Sequence, residues 1–504
     1  IPQSIVTAVA AACLEPDDTG RQIELVMHDE HLRSSQLEEV ADGSDGLAAA
    51  VHEGHGLEQV ALLRANVHTA CVAEKTLLGA EDAPITAGQG IDEMEARVVA
   101  CPGVLLTGIA ESDDENFASL MASSRGVQSV GAEPIFSLPD VVAESVVEPQ
   151  DISSAFLDAG LLWGIERVQA PAAWAAGVTG SHDTVVAVID TGIAWNHPDL
   201  ESNVVHVACY TSAGEQQGFF TDGPCNPYPS LSDHGTHVAG TVAANAGGGV
   251  VGVGPDLGLA GYNTFEFIPG CGVCSFSSSR WLAQLDAAER GFEVINMSLG
   301  SFGFYGGGRS DGIATFVAAD ARIQRAVTSA GTTVVASGGN SGANLNGTAI
   351  NIPGGLPAVV NTGATGIQPD PRYQPGVSFD IPAFYSNYGA AITLAAPGGD
   401  CGQIGTCNAD RPANWFEYLV LSSVVFEDPA CAATASCPVG WGWKAGTSMA
   451  SPHAAGVVGL IRDEDPSLSA AQAANVLKRT AEKIGSRQDF GHGMVDARAA
   501  IPEG

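Results

Sequence analysis

The chain has 504 residues, of which 45% are hydrophobic, and its formal net charge is −36. A chain of this length and composition can bury a large core in two or three domains. The acidic balance excludes nucleic acid and anionic membrane surfaces as expected partners, because binding to them requires clustered Lys and Arg.

Residues 1–20 resemble the end of a bacterial export signal. A short apolar run ends in three alanines before Cys13, which resembles a lipoprotein cleavage box with Cys13 as the lipidated residue and predicts a lipid anchor. A truncated signal without lipidation and the end of an Ala-rich helix remain alternatives. No later segment offers about 20 uninterrupted apolar residues, so no membrane span is predicted.

Residues 21–145 are predicted to form a small α+β domain, with a linker at 146–158. Helix-like runs cover 34–52 and 57–67. From Glu95 onward the pattern predicts two paired strands, a helix within 113–124 and a returning strand. The residues that follow are rich in Pro, Ser and acidic side chains, which is typical of a linker.

Residues 159–504 alternate between strand-like and helix-like stretches. The Val-rich runs are typical of parallel strands that are buried on both faces, and Ala-rich helical stretches lie between them. This pattern predicts a three-layer, doubly wound, mostly parallel α/β sheet. Ser469 to Gln472 resembles a capping box that opens a final helix. The strand-like runs are 183–190, 204–210, 257–262, 293–298, 332–337, 358–364 and 391–397, and the helical stretches are 234–245, 279–291 and 311–331.

Eight of the eleven cysteines follow residue 200 in near pairs, which predicts disulfides in short loops and an oxidising compartment. A zinc site is the competing interpretation for the Cys271 and Cys274 pair. If Cys13 is lipidated, Cys71 and Cys101 are left to pair. The near pairs are Cys209 with Cys225, Cys271 with Cys274, Cys401 with Cys407, and Cys431 with Cys437.

Four polar residues stand where strands end or helices begin. Asp190 closes the first Val-rich strand, His234 opens a helix, and Asn340 follows the strand at 332–337. Ser448, in GTSMASPH, precedes an Ala- and Gly-rich run that predicts a buried helix, although a serine that only caps a core helix is the simpler interpretation of this motif alone. A serine nucleophile needs a base and a carboxylate that orients the base, and His234 and Asp190 can supply them.

The motifs VIDTG, HGTHVAGTVA and GTSMASPHAAG occur in the order Asp, His, Ser, and with them the chain resembles the subtilisin-like serine peptidases, or subtilases. NMSLG, SNYG, AAPG and GHGMVDA belong to the same resemblance, which runs from roughly residue 160 to the end of the chain. It implies a subtilisin-like fold for residues 159–504.

The resemblance also implies roles for individual residues. Ser448 would be the nucleophile, His234 the base and then the acid, and Asp190 the carboxylate that holds the imidazole. Asn340 would donate to the oxyanion together with the Ser448 backbone N–H. Ser298, Leu299 and Gly300 would form one wall of the substrate cleft and pair with an extended peptide, whereas His237 is expected to be structural.

Residues 21–145 resemble the inhibitory propeptide of the family in the order of the strands and helix after Glu95, whereas the segment before Glu95 departs from the common short form. No cofactor is expected for the chemistry. A structural calcium ion is expected at Asp199, which matches a ligand position of the family, with Asn245 as the side-chain ligand in the following glycine-rich loop.

Together these features predict a secreted or extracellular serine endopeptidase that acts on proteins or peptides and is made as a self-processed precursor. The propeptide region would be its intramolecular inhibitor. Two alternatives remain open, namely a catalytically idle binding module on the same fold and a triad hydrolase that acts mainly on esters.

Overall fold

The computed structural model describes residues 134–138, 156–304, 312–366, 380–400, 415–426 and 429–502, together with seven short strands in the first 147 residues. The chain divides into two compact units, 1–135 with 304–326 and 136–303 with 327–504. Several predicted features lie outside the described residues, namely Cys13, Cys71, Cys101, Cys401, Cys407 and the helices at 34–52, 57–67 and 113–124.

The first unit contains a four-stranded sheet in the order β3-β1-β5-β4. The two strands predicted after Glu95 are confirmed as the antiparallel pair β4 and β5, with Ala96 opposite Ala110. The predicted returning strand is present as β6, which pairs with β2 in parallel. The strands are β1 Val6–Ala8, β2 Ile23–Glu24, β3 Met27–Asp29, β4 Glu95–Ala100, β5 Thr107–Ser112 and β6 Val127–Ser129.

The remaining strands begin just before residue 136. The seven Val-rich runs all form strands, as predicted. The strands are β7 Ile135–Ser137, β8 Ala143–Val147, β9 Val185–Asp190, β10 Val204–Thr211, β11 Gly214–Gln217, β12 Gly258–Asn263, β13 Glu266–Ile268, β14 Gly272–Phe276, β15 Val294–Met297, β16 Ser301–Phe304, β17 Thr333–Ser337, β18 Ala349–Ile352, β19 Val359–Gly366, β20 Ile381–Pro382, β21 Leu394–Pro397, β22 Val420–Val425 and β23 Val439–Ala445.

The main sheet has the order β11-β10-β12-β9-β15-β17-β19-β20, and β21 also pairs with β19. Its central pairs are parallel, and its two edge pairs, β10 with β11 and β19 with β20, are antiparallel. The fold class predicted from the sequence, a doubly wound and mostly parallel α/β sheet, is therefore confirmed. Since the strands run in parallel, β9, β15 and β17 end at the same edge.

The helices follow the predicted positions, with ends that differ by a few residues. They are α1 Trp163–Arg167, α2 Ala170–Ala175, α3 His234–Ala243, α4 Ser277–Glu289, α5 Gly312–Ser329, α6 Pro429–Ala432, α7 Thr447–Glu464, α8 Ala470–Thr480, α9 Arg487–Phe490 and α10 Ala497–Ala500, with a 3₁₀ turn at Trp415–Tyr418. In the described ranges, none of them is long and apolar enough to cross a bilayer.

The core of the second unit surrounds α7. All of its residues from Thr447 to Arg462 are buried, and it packs against α3 and the strands β15, β17, β19 and β21. A helix that is apolar on every side is stable only inside a protein, which explains its Ala, Gly and Val composition. The capping box of α8 is confirmed, because Ser469 Oγ accepts from the Gln472 N–H while Gln472 Oε1 accepts from the Ser469 N–H.

Three of the predicted disulfides are present: Cys209–Cys225, Cys271–Cys274 and Cys431–Cys437. The zinc alternative for Cys271 and Cys274 is therefore wrong. The loops of the first and third disulfide contact each other, since the Asn226 side chain donates to the Ala432 carbonyl and Thr221 Oγ1 to the Ala433 carbonyl. The predicted boundaries at residues 145 and 158 remain predictions, although β8 falls in the second unit.

Candidate active site

Asp190 and His234 are joined by a hydrogen bond at the end of β9 and the start of α3. His234 Nδ1 lies 2.8 Å from Asp190 Oδ1, and both side chains are buried. The Thr191 N–H also donates to Oδ1, at 2.8 Å. A proton on Nδ1 leaves Nε2 as the basic nitrogen of the ring. Gly235 is required beside them, because a Cβ at that position would overlap the carbonyl oxygen of Gly192.

Ser448 is the second residue of α7, where backbone N–H groups have no partner within the helix. In the structure its Oγ donates to the Ser298 carbonyl oxygen at 3.2 Å. Among the hydrogen bonds between described residues, none joins Ser448 to His234. Such bonds are often long in the absence of substrate and shorten only in the complex.

Pro452 lies inside α7, beyond its first turn. Proline has no N–H, so the carbonyl four residues earlier, that of Ser448, loses its helical partner. The Ser298 hydroxyl takes that place and donates to the Ser448 carbonyl at 2.7 Å. The bond from the Ser298 hydroxyl to the Ser448 carbonyl is therefore possible because of Pro452, and this connection is not visible in the motif alone.

Buried polar side chains extend this connection between β15 and α7. Asn296 Nδ2 donates to Ser298 Oγ at 3.0 Å, and Ser451 Oγ donates to Asn296 Oδ1 at 2.6 Å. The segment Ser298–Gly300 thus lies directly beside Ser448, as expected for a wall of the same cleft. Buried polar groups that are fully bonded hold such a loop in one conformation.

Asn340 also faces the start of α7. Its Oδ1 accepts from the Thr447 N–H at 2.9 Å and from Thr447 Oγ1 at 2.7 Å. With Oδ1 engaged in this way, Nδ2 faces Gly446, where a Cβ would lie 3.2 Å from it. The amide donor is therefore held close to the Ser448 backbone N–H, as an oxyanion hole requires.

Two short strands, β7 and β8, form pairings that the sequence analysis missed. β7 joins β14, where the Leu138 N–H donates to the Val273 carbonyl at 3.2 Å. Phe136 in β7 is buried, with the Arg280 guanidinium 4.9 Å from its ring centroid. β8 pairs antiparallel with β23, so that Ala143 lies opposite Ala445, three residues before Ser448.

A buried ion pair lies beside His234, and sequence reasoning missed it as well. Lys444 Nζ is 3.0 Å from Asp233 Oδ1, and the two side chains are 2% and 9% exposed. The signal was a lysine inside the apolar run VGWGWKAG. The nearby His237 donates its Nε2–H to the carbonyls of Val420 and Gly442, and burial, together with Lys444 and His234, lowers its pKa well below the usual value. His237 is thus buried and neutral, as expected for a structural residue.

The two residues expected to bind calcium do not present free oxygens to a metal ion. Both carboxylate oxygens of Asp199 accept hydrogen bonds from N–H and O–H donors, and Asn245 Oδ1 accepts from the Gly247 N–H at 2.9 Å. Across the described ranges, no three His, Cys, Asp or Glu side chains are grouped to hold a metal. Calcium requires six or more oxygen ligands, and this set does not fit it.

The sequence of this chain is similar to those of known proteins. Residues 181–493 match the model of the Subtilase family. Alkaline elastase YaB of Bacillus sp. (strain YaB) is 33% identical over 375 residues, which cover 70% of this chain and 78% of that protein. Subtilisin Savinase of Lederbergia lenta is 34% identical over 346 residues, which cover 67% of this chain and 97% of that protein.

Among solved structures, the epidermin leader peptide processing serine protease of Staphylococcus aureus has a TM-score of 0.59 at 20% identity, and the match covers 80% of this chain and 92% of that one. At this identity the likeness shows the fold alone. The family model covers more than half of the chain, and relatives named as proteases are about one-third identical over most of it. The chain therefore belongs to the subtilase family of serine endopeptidases.

Proposed function

We propose that the chain is a secreted endopeptidase that hydrolyses peptide bonds with the triad Asp190, His234 and Ser448. The observation that carries this proposal is the 2.8 Å bond between buried Asp190 and His234, together with Ser448 at the start of the buried helix α7. The three disulfides support secretion, because disulfides persist in oxidising compartments.

In the proposed reaction, His234 Nε2 removes the Ser448 proton as Oγ attacks the scissile carbonyl, and later returns it to the leaving amine. Asp190 Oδ1 holds the ring. Its Oδ2 is buried and has no hydrogen-bond partner among the described residues, so its charge remains available to stabilise the imidazolium. Asn340 Nδ2 and the Ser448 N–H donate to the oxyanion, whose negative charge the α7 N-terminus also favours.

We further propose that substrate binds as an extended strand between Ser298–Gly300 and β14. Support comes from β7, a segment of this same chain that pairs with β14 in extended conformation. Main-chain hydrogen bonds such as that from Leu138 to Val273 accept any sequence, whereas the pocket that holds Phe136 distinguishes side chains.

The precursor is proposed to cut itself between Leu138 and Ala143. Before this interval β7 pairs with β14, and after it β8 pairs with β23. Both partner strands belong to the second unit. β23 leads directly to Ser448, so this interval adjoins β8, the strand that pairs with the segment before the proposed nucleophile. Until that cut, the residues of the propeptide-like region that precede it would act as a tethered inhibitor, since tethering gives a high effective concentration at the cleft.

The experiment that tests this proposal compares the full chain with Ser448→Ala. The unsubstituted chain should yield a product whose new N-terminus lies between Leu138 and Ala143, and that product should hydrolyse peptide amides. Ser448→Ala should stay uncut and inactive. Ser467→Ala, an exposed serine that bonds only to Asp465 in the described chain, is the matched control and should behave like the parent.

Three outcomes would contradict the proposal. Peptide hydrolysis by Ser448→Ala that phenylmethylsulfonyl fluoride still blocks would mean that another serine is the nucleophile. A parent chain that binds peptides without cutting them would be an idle binding module. Turnover of esters without any turnover of the matching amides would identify an esterase on this fold.

A separate measurement tests Asn340. Asn340→Ala should lower kcat by about 10²- to 10³-fold and leave KM nearly unchanged, because the amide bonds the oxyanion more strongly than the ground-state carbonyl. Asn344→Ala, in the same connection between β17 and β18, is the control. Unchanged kcat in Asn340→Ala would show that another donor stabilises the oxyanion.

A further inference from the structure

The Asp199 carboxylate is enclosed by five hydrogen-bond donors. Oδ1 accepts from the N–H groups of Gly248 and Gly249, the latter at 2.8 Å. Oδ2 accepts from the Val250 N–H at 3.3 Å and from two side chains, Ser423 Oγ at 3.3 Å and Trp441 Nε1 at 2.8 Å. The side chain is fully buried, so these donors replace its hydration shell.

The donors come from two separate parts of the chain. Three are consecutive backbone N–H groups in the loop after α3, and two belong to the hairpin of β22 and β23. The loop reaches Asp199 only because it is made of glycine: a Cβ on Gly247 would overlap the Pro198 carbonyl oxygen, and one on Gly248 would lie 2.9 Å from Trp441 Cζ2. Successive N–H groups of this kind form an anion-binding concavity.

His197 completes the surroundings without supplying a positive charge. The Asp199 N–H donates to His197 Nδ1 at 3.1 Å, and His197 Nε2 lies 2.8 Å from the Gly440 carbonyl oxygen. Burial lowers the pKa of His197, so the ring is neutral, with its proton on Nε2. His197 therefore joins Asp199 to β23 by a second contact beside Trp441.

These donors occupy the places that a cation would need. A carboxylate has about four lone-pair positions, and five donors already point at its two oxygens. A calcium ion here would face N–H and O–H hydrogens, and the nearby Asn245 Oδ1 is engaged by the Gly247 N–H. The charge of Asp199 is stabilised by oriented dipoles, which is an alternative to a metal ion.

We propose that Asp199 is a metal-free anchor. Its hydrogen bonds fix the hairpin of β22 and β23 to the loop after β9, which is the structural role that a calcium ion at this position would have. β23 ends at Ala445, three residues before Ser448, so the anchor supports the strand that leads into the proposed nucleophile. It follows that the stability of this region does not depend on calcium but does depend on the Trp441 and Ser423 donors.

The first test measures thermal unfolding of the Ser448→Ala chain, which avoids self-digestion, in excess chelator and in millimolar calcium. The two midpoints should agree within about 1 °C, since only a ligand that binds the folded state raises the midpoint. The same pair of measurements is made on Ser448→Ala/Asp199→Asn. A calcium-dependent rise in the first chain that disappears in the second would overturn the proposal, whereas a rise that is equal in both identifies an ion elsewhere and upholds it.

The second test compares two tryptophans on the same strand. Trp441→Phe keeps an aromatic ring but removes the donor to Asp199, and should lower the unfolding midpoint by about 2 to 5 °C. Trp443→Phe is the matched control, because Trp443 is also buried and its Nε1 has no hydrogen-bond partner among the described residues. The unfolding midpoint of Trp443→Phe should change by less than half as much as that of Trp441→Phe.

If Asp199→Asn does not fold, Trp441→Phe and Ser423→Ala still test the proposal. Calcium should fail to restore the midpoint of Trp441→Phe or of Ser423→Ala. Equal losses in Trp441→Phe and Trp443→Phe would overturn the proposal, because the Trp441 N–H would then contribute nothing beyond its ring. Recovery of Trp441→Phe by calcium would also overturn it.

Discussion

At the scale of single residues, the surroundings of Ser448 depend on buried polar groups in close contact. Ser298, Asn296 and Ser451 form one chain of hydrogen bonds. Lys444 forms an ion pair with Asp233, the residue next to His234. Buried polar groups cost free energy unless each finds a partner. Their arrangement is therefore specific, and the loss of one partner affects the other.

We expect Lys444→Met to destabilise the protein by about 3 to 5 kcal/mol, because it leaves the Asp233 carboxylate buried without this cation. Chemical denaturation in the Ser448→Ala background measures the change. The double variant Lys444→Met/Asp233→Asn should recover part of the loss, since both charges are then absent. Lys483→Met, at an exposed site, is the control and should stay within about 0.5 kcal/mol. A loss no larger than that of Lys483→Met would mean that the pair is solvated.

At the scale of elements, the sequence predicted the strands and helix ends whose formation depends on the local pattern of residues. Val-rich runs predicted the strands of the main sheet, and Ser469 with Gln472 predicted the start of α8. The pairings of β7 and β8 were missed, because their partners β14 and β23 lie more than 130 residues away and only the folded register brings them together. The calcium expectation rested on a ligand position of the family at Asp199 and on Asn245 in the glycine-rich loop. Two of the five donors to the Asp199 carboxylate, Ser423 and Trp441, come from a distant hairpin that no local pattern connects to this residue.

The β7 segment allows a prediction about recognition, which rests on the proposed cleft. A peptide of residues 130–138 should inhibit the processed enzyme, and Phe136→Ala in that peptide should raise its inhibition constant about 10- to 100-fold. The reason is the loss of a buried aromatic ring, worth about 1.5 to 3 kcal/mol, and of its contact with Arg280.

The matched peptide carries Ser137→Ala, which alters an exposed neighbour in the same strand. Its inhibition constant should stay within about twofold of the parent, in line with the small effect of exposed substitutions. If the two substituted peptides inhibit equally well, Phe136 does not occupy a recognition pocket in the processed enzyme.

At the scale of the whole molecule, several histidines are buried in the interior, and burial keeps their rings neutral. Burial lowers the pKa of His453 to about 4 and, with Arg290 as a further cause, that of His206 to about 4. His237 is also lowered by burial. In the unfolded chain these rings would titrate near the ordinary value of about 6.5. The folded protein therefore binds fewer protons than the unfolded chain at mildly acid pH.

From this difference we predict that the free energy of unfolding falls as the pH drops below about 6.5, because the unfolded state gains protons that the folded state does not. The loss from His453 should amount to about 2 kcal/mol at pH 5 and should level off below its folded pKa of about 4. Above pH 7.5 the ring is neutral in both states and contributes no pH dependence.

Denaturation of Ser448→Ala at pH 9, 7.5 and 5, with and without His453→Gln, measures this contribution, since glutamine retains a donor for the Met449 carbonyl but cannot titrate. The two chains should run in parallel from pH 9 to 7.5 and then differ, with the histidine chain losing about 2 kcal/mol more by pH 5. Parallel behaviour down to pH 5 would mean that His453 takes up its proton without unfolding, and the buried ring would then not be a source of acid sensitivity.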